Sequence, residues 1–296
     1  MVGAGLHSGH PVQLRLLPAP ADFGVEFRRV DIMDKDNRIA ARFDLVNDTQ
    51  LCTRLCNESG VEIATVEHLM AALAGCGVHN AIVEIDGPEV PIMDGSSDRF
   101  VREILSVGVV ELDAPVKVLR ILKAVSVTSG EAFAELSPSD DFEIDFEISF
   151  ADRAIGQQQH ALNMKNGSFV RELSDCRTFC MFSDVEYMKS IGLVRGGSLE
   201  NAVVINEGKV LNPEGYRRKD ECVRHKMLDA LGDLALVGMP IIGRYHGVRA
   251  GHRITNLLLH AVFAAPDSFE IVEVNSQQSA RLPGVGLNYS DLELAV

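Results

Sequence analysis

Residues 64–88 read ATVEHLMAALAGCGVHNAIVEIDGP, and two periodicities meet within them. Over 61–77 Leu69 and Leu73 share a face at helical spacing, Thr65 stands where it can cap the first turn, and Gly75 and Gly77 stop the helix. At 80–85 the pattern becomes strand alternation, NAIVEI, closed by the turn residues Asp86, Gly87 and Pro88. Glu67 and His68 then sit in the first turn of a helix that feeds a strand. A second helix is predicted over 97–107.

Around Leu112, Asp113, Ala114 and Pro115 the patterning breaks, which divides the chain into an N-terminal domain, 1–113, and a C-terminal domain, 114–296. Beyond the break, strand-like runs follow at 116–127, 132–136, 142–150, 203–210 and 269–274, with helices at 221–237 and roughly 250–264. Strands in runs with isolated helices predict an α+β fold rather than a doubly wound sheet. Each half holds several strands and a pair of helices, a hint of duplication that no sequence self-similarity supports. Residues 275–288 read as loop.

With 296 residues, 46% hydrophobic and 24% charged, the chain can bury a core and is neither disordered nor fibrous. Lys+Arg 28 against Asp+Glu 42 leaves a net charge of −14, which repels nucleic acid and anionic lipid. Cys52 and Cys56, like Cys176 and Cys180, lack zinc-knuckle spacing, so the six cysteines read as reduced thiols of a cytoplasmic protein. No run approaches the roughly 18 apolar residues that cross a bilayer, and no secretory signal opens the chain.

The chemistry begins in 221–238, ECVRHKMLDALGDLALVG. His225 and Asp229 project from one helix face a turn apart, and Asp233 continues the row. Burying such a row is costly unless a cation sits against it. An imidazole and a carboxylate at this spacing can reach one divalent ion, although a surface ion pair uses the same spacing. In Glu67-His68 a ligating histidine could stand beside a carboxylate free to deprotonate water; a glutamate at the positive end of a helix is the plainer explanation. His252 opens another helix, where a carboxylate such as Asp233 could keep it charged and able to protonate a leaving group; a structural histidine is the alternative. Together the three supply two nitrogen ligands, a carboxylate ligand, a base and an acid, the set that metal-assisted hydrolysis needs.

The blocks GAGLHSG (3–9), ATVEHLMAALAGCGVHNAIVEIDGPEVPIMDGS (64–96), RTFCM (177–181), GGSLENAVV (196–204), VRHKMLDALGDL (223–234) and AGH (250–252) resemble, in order, the zinc-dependent UDP-3-O-acyl-N-acetylglucosamine deacetylases of lipid A biosynthesis. The resemblance covers essentially the whole chain. It implies two similar α+β domains, each a small β-sheet packed with a pair of helices, with the active site between them. The implied reaction hydrolyses the acetamide of the UDP-linked, acylated sugar to acetate and a free amine, an early committed step. It also implies one Zn2+ per chain held by His68, His225 and Asp229, with Glu67 as general base and His252 as general acid or charge stabiliser. Asp233 would orient that histidine and Thr178 would supply the oxyanion hydroxyl. Phe179 and Lys226 would contact the sugar and its linked groups, and Phe150 would stack on uracil. The expected protein is a cytoplasmic monomer whose partner is this small molecule, not nucleic acid or a membrane span.

The chain departs from the family pattern in places. Met1 stands directly ahead of GAGLHSG where the family carries a strand. Met70 and His79 replace Asn and Asp, Arg99 replaces an apolar residue, and Cys222 replaces Phe. The competing function is a non-catalytic module for a nucleotide sugar or acyl chain, separable by whether Glu67 and His252 can both reach a metal-bound water. Gly3, Gly5 and Gly9 lack the preceding strand of a dinucleotide motif. Residues 195–198, RGGS, read as a phosphate loop or a hairpin turn, 91–97 as a tight turn, and 217–219, RRK, beside Asp220 and Glu221, as a solvated face rather than an anion site, an option a diphosphate substrate keeps open. The apolar residues at 191–194 and around Met181 fit an acyl passage or core packing.

Overall fold

The computed structural model describes residues 1–295. Its helices are α1 (Glu67–Gly75), α2 (Asp98–Val107), α3 (Ser168–Glu172), α4 (Phe182–Ser190), α5 (Glu221–Leu234), α6 (His252–Ala264) and α7 (Ser276–Ser279). Two main sheets carry them, so the architecture is α+β.

The first sheet runs in the order Val2–Ala4, Pro11–Pro18, Ala81–Ile85, Val25–Arg29, Arg38–Ala40. Neighbours are antiparallel except Val25–Arg29 and Ala81–Ile85, which are parallel. The second sheet places Val125–Ser129, Ala132–Ser137, Ile241–Val248, Phe142–Ser149 and Gln157–Asn163 in the same order and sense, with one parallel pair at the same place. Lys117–Ile121 and Phe269–Glu273 extend it beside the start of Ile241–Val248. In each sheet one helix precedes the central strand (α1, α5) and one follows it (α2, α6). The duplication hinted at by element counts is thus a repeat of topology. A parallel pair needs a long crossover, and each half spends it on a small three-stranded sheet and the first helix. Those small sheets are Val46–Asp48, Arg54–Cys56, Glu62–Ile63 in one half and Phe179–Met181, Val203–Asn206, Lys209–Val210 in the other.

α1 and α5 pack against each other, and both are buried nearly all round: only Ala74 of α1, and Arg224 and Lys226 of α5, escape. A helix apolar on every side, as AALA makes α1, belongs inside. One apolar cluster runs from Leu14, Val83 and Ile85 of the first sheet through Leu69, Met70 and Leu231 to Ile144 and Leu259 in the second half. Gly232 makes the helix contact possible, since a Cβ there would lie 2.0 Å from the carbonyl oxygen of Glu67.

The expected helix over 61–77 is shorter at its start. Glu62–Ile63 pairs as a strand with Arg54–Cys56, Thr65 takes a φ of 58° with its hydroxyl donating to Glu89 Oε1 at 3.1 Å, and Val66 is the N-cap without a side-chain bond. Thr65 therefore braces the preceding loop rather than capping α1, and Glu67 becomes the first helical residue. The expected strand 116–127 divides into Lys117–Ile121 and Val125–Ser129, and the last turn of 221–237 tightens into a 3-10 segment, Ala235–Val237. Within 275–288, taken for loop, Asn275 and Gln278 form a capping box that starts α7. All six cysteines are free thiols, and among the described residues no helix is long and apolar enough to cross a membrane.

Because a methyl group at 232 must push α1 and α5 apart, Gly232→Ala is expected to lower stability by about 1–3 kcal/mol despite its better helix propensity. Urea unfolding reads this directly. An unchanged or raised midpoint would show that the two helices have room to spare.

Candidate active site

α1 presents its first turn to the middle of α5, and there His68, His225 and Asp229 converge, 4%, 2% and 5% exposed. One ligand atom from each lies within 4.8 Å of the others. His225 Nε2 is 3.3 Å and His68 Nε2 3.5 Å from the same oxygen, Asp229 Oδ1, and the two imidazoles stand nearly perpendicular, 87° between planes. His225 Nδ1 bonds the carbonyl oxygen of Cys176 at 3.0 Å, and a carbonyl only accepts, so Nδ1 carries the proton and Nε2 is a bare lone pair. Burial pushes His225 down to about 4, which keeps it neutral.

His225 Nε2 and Asp229 Oδ1 are buried with no hydrogen-bond partner. Two buried acceptors facing each other without a proton between them are costly. A divalent cation at their meeting point removes that cost, and two imidazoles with one carboxylate are a donor set that suits it. The carbonyl that fixes the His225 tautomer is the usual support for a ligating histidine. Asp229 Oδ2 is occupied by Lys226 Nζ at 2.6 Å. Burial works against the ammonium charge of Lys226, but the Asp229 carboxylate outweighs it and raises the group above the ordinary lysine range.

Beside this triad stand Glu67 and His252. Glu67 is 3% exposed; Oε2 accepts from the Thr53 backbone N–H at 3.0 Å, and Oε1 lies 3.8 Å from His252 Nε2. Burial raises its proton affinity, which His252 and His68 partly offset. His252, at the start of α6, holds Asp233 Oδ2 through Nδ1 at 2.8 Å. Burial disfavours its charge, yet Asp233 and Glu67 overcome this and raise it to about 9, so it is an imidazolium at neutral pH. A buried carboxylate and a largely buried imidazolium thus face each other beside the His68–His225–Asp229 group.

Phe179 lies with its ring centroid 6.4 Å from that of His225, and Phe150 with its centroid 5.4 Å from that of Phe179. Thr178 sits between Cys176 and Phe179, both of which meet His225, and its backbone is pinned by bonds of 2.8 Å to Gly95 and Val203. Phe182, Tyr187 and Ile191 expose apolar surface beside this strand, whereas Val194 is buried.

Sequence reasoning missed the frame around these groups. Arg177, 1% exposed, donates through its backbone N and Nε to Glu221 Oε1, both at 2.9 Å, and through Nη2 to Oε2 at 3.2 Å and the Gly215 carbonyl at 2.7 Å. This pair fastens the strand of Thr178 to the start of α5. Nothing local marks a charged residue for burial; only the partner does. The 217–219 run, expected as a solvated face, is partly tied down instead: Arg217 bonds Asp94 Oδ2 at 2.8 Å and Arg218 bonds Asp175 Oδ1 at 2.8 Å, because acids from other loops reach it. The 195–198 turn is neither of its expected alternatives alone; Gly196 N donates to the Leu6 carbonyl at 3.0 Å and clasps the 3–9 turn. Thr53 was also missed.

Residues 1–264 match the family model described as UDP-3-O-acyl N-acetylglycosamine deacetylase. Curated relatives named UDP-3-O-acyl-N-acetylglucosamine deacetylase include those of Phenylobacterium zucineum, 49% identical over 91% of this chain and 92% of the relative, and Idiomarina loihiensis, 47% over 94% and 91%. That of Pasteurella multocida is 45% identical over 94% of this chain and 92% of its own length.

Replacing Arg177 with Met leaves the Glu221 carboxylate buried without its counter-charge. Arg177→Met is expected to cost about 3–5 kcal/mol in chemical unfolding, far more than removing an exposed arginine. A loss below about 1 kcal/mol, the size of a surface pair, would contradict the buried ion pair.

Proposed function

The chain belongs to the UDP-3-O-acyl N-acetylglycosamine deacetylase family and is a hydrolase of the deacetylase type, and from this we propose that it is a zinc-dependent enzyme of lipid A biosynthesis. It hydrolyses the acetamide of a UDP-linked, 3-O-acylated N-acetylglucosamine and releases acetate and the free amine. The observation that carries this reading is the pairing of Glu67 with His252 beside a His68–His225–Asp229 group in which His225 Nε2 and Asp229 Oδ1 have no hydrogen-bond partner. A module that only holds a nucleotide sugar has no need of a buried base facing a buried acid.

His68, His225 and Asp229 would hold one Zn2+, which supplies a Lewis acid that lowers the pKa of water towards about 7 and polarises an amide carbonyl. Glu67 accepts the proton of the attacking water on Oε1, the oxygen not engaged by Thr53. Its raised proton affinity suits a base that must hold that proton. The Thr178 hydroxyl donates to the oxygen on which negative charge develops, a contribution of roughly 3 kcal/mol for a well-placed donor. As the C–N bond breaks, the His252 imidazolium gives its proton to the departing amine, and Asp233 keeps that imidazole charged and oriented.

Phe179 lies against the sugar and Phe150 stacks on uracil, while Lys226 meets the linked anionic groups with the charge that Asp229 maintains. Phe182 and Ile191 offer apolar surface to the acyl chain. We assign the protein to the cytoplasm as a monomer; its six free thiols fit a reducing compartment.

The purified protein should carry one equivalent of zinc by elemental analysis, and His225→Ala should lose it. Glu67→Gln should retain the metal while acetate release falls by at least about a hundredfold. Turnover that survives Glu67→Gln, or protein that never binds zinc, refutes the mechanism.

The acid must be protonated to act, and His252 stays protonated up to about 9. Turnover is therefore expected to hold at neutral pH and to fall as pH rises through about 9. Asp233→Asn removes the main charge that lifts His252, so the alkaline limb should move to lower pH. A limb unmoved by Asp233→Asn would assign the alkaline loss to another group.

A further inference from the structure

Thr53 lies in the small sheet of the first half, immediately before Arg54–Cys56, and is 2% exposed. It makes two bonds of different kinds to two different carboxylates. Its backbone N–H donates to Glu67 Oε2 at 3.0 Å, and its hydroxyl donates to Asp233 Oδ1 at 2.5 Å, although Asp233 is 180 residues away in sequence. Among the described residues neither oxygen has another hydrogen-bond partner. We propose that Thr53 is a positioning residue that sets the spacing and orientation of the base and the acid at once. The inference rests on the roles of Glu67 and His252 proposed above.

The geometry explains what each bond does. With Oε2 held by a backbone donor, only Oε1 of Glu67 is free to face His252 Nε2. With Oδ1 of Asp233 held by a hydroxyl, Oδ2 alone is left to hold His252 Nδ1. The carboxylate cannot turn about its own axis without breaking one bond or the other, so the imidazole plane is fixed through it. A single residue therefore links the acid and the base through a frame that does not include the metal ligands. A β-branched side chain suits this task, because its χ1 has few alternatives and the hydroxyl stays aimed. Removing the hydroxyl leaves Asp233 Oδ1 a buried acceptor with no donor, free to draw His252 out of line.

Thr53→Val removes the hydroxyl at nearly constant shape, and Thr53→Ser keeps it. The expected result for valine is a fall in kcat of about 10- to 100-fold, the range for partners that orient catalytic groups, with KM and bound zinc unchanged. Serine is expected to restore kcat to within about threefold of the parent, as a bond made by the hydroxyl requires. In the Asp233→Asn background the valine change should add little, because both act through one pair of contacts.

Valine kcat within about twofold of the parent, serine as impaired as valine, or full additivity with Asp233→Asn would each overturn the proposal. Thermal unfolding checks that the valine chain folds; if it does not, Thr53→Ala takes its place, with the same outcomes expected. Glu67→Gln assayed in parallel separates the two ideas. If it stays active, the reading of the base has failed, whereas an inactive Glu67→Gln beside a fully active Thr53→Val defeats only the role of Thr53.

Discussion

Two buried helices, one from each half, meet so closely that only glycine fits at Gly232, and this contact brings His68 of one against His225 and Asp229 of the other, whose facing lone pairs have no proton between them. Folding alone gains nothing from that arrangement. A cation at the point where the acceptors meet would offset the cost of burying them, and the surrounding groups hold them there. The Cys176 carbonyl fixes the tautomer of His225, Lys226 neutralises the second oxygen of Asp229, and the Arg177–Glu221 pair fastens the strand that supplies the carbonyl to the helix that supplies the ligands.

The repeated topology explains how groups so distant in sequence come together. α1 and α5 occupy the same place in their respective halves, as do α2 and α6. Where equivalent helices pack, each half contributes to a common site, but not the same part of the helix. α1 gives its first turn, with Glu67 and His68, and α5 gives its middle, with His225, Asp229 and Asp233. The inserted small sheets repeat this division: the first brings Thr53 to the carboxylates, the second brings Thr178 and Phe179 to the ligands.

What could be read in advance followed from periodicity and local spacing. The row His225, Asp229, Asp233 is a property of a helix whatever it packs against, and alternation over 80–85 announces a strand. The α+β class follows from strands that come in runs. The start of α1 was less legible because Thr65 has a cap-forming side chain, and only the distant Glu89 diverts it. Thr53, Arg177 and Glu221 lie further still beyond local reasoning: each is polar or charged and buried, and what makes burial tolerable is a partner between 14 and 180 residues away.

The distribution of charge around the centre is what makes the site directional. Lys226 holds Oδ2 of Asp229 while His68 and His225 approach its Oδ1, and Glu67 faces His252 through Oε1. His225 is held neutral by burial at about 4 while His252 is held charged at about 9, although both are buried imidazoles. The difference is in the charges around each ring: at His225 burial, with His68 and Lys226, outweighs Asp229, whereas at His252 Asp233 and Glu67 outweigh burial. A neutral imidazole binds a metal and a protonated one donates to a leaving group. The surroundings of the two rings thus suit one to ligate and the other to donate a proton, the roles proposed for them above.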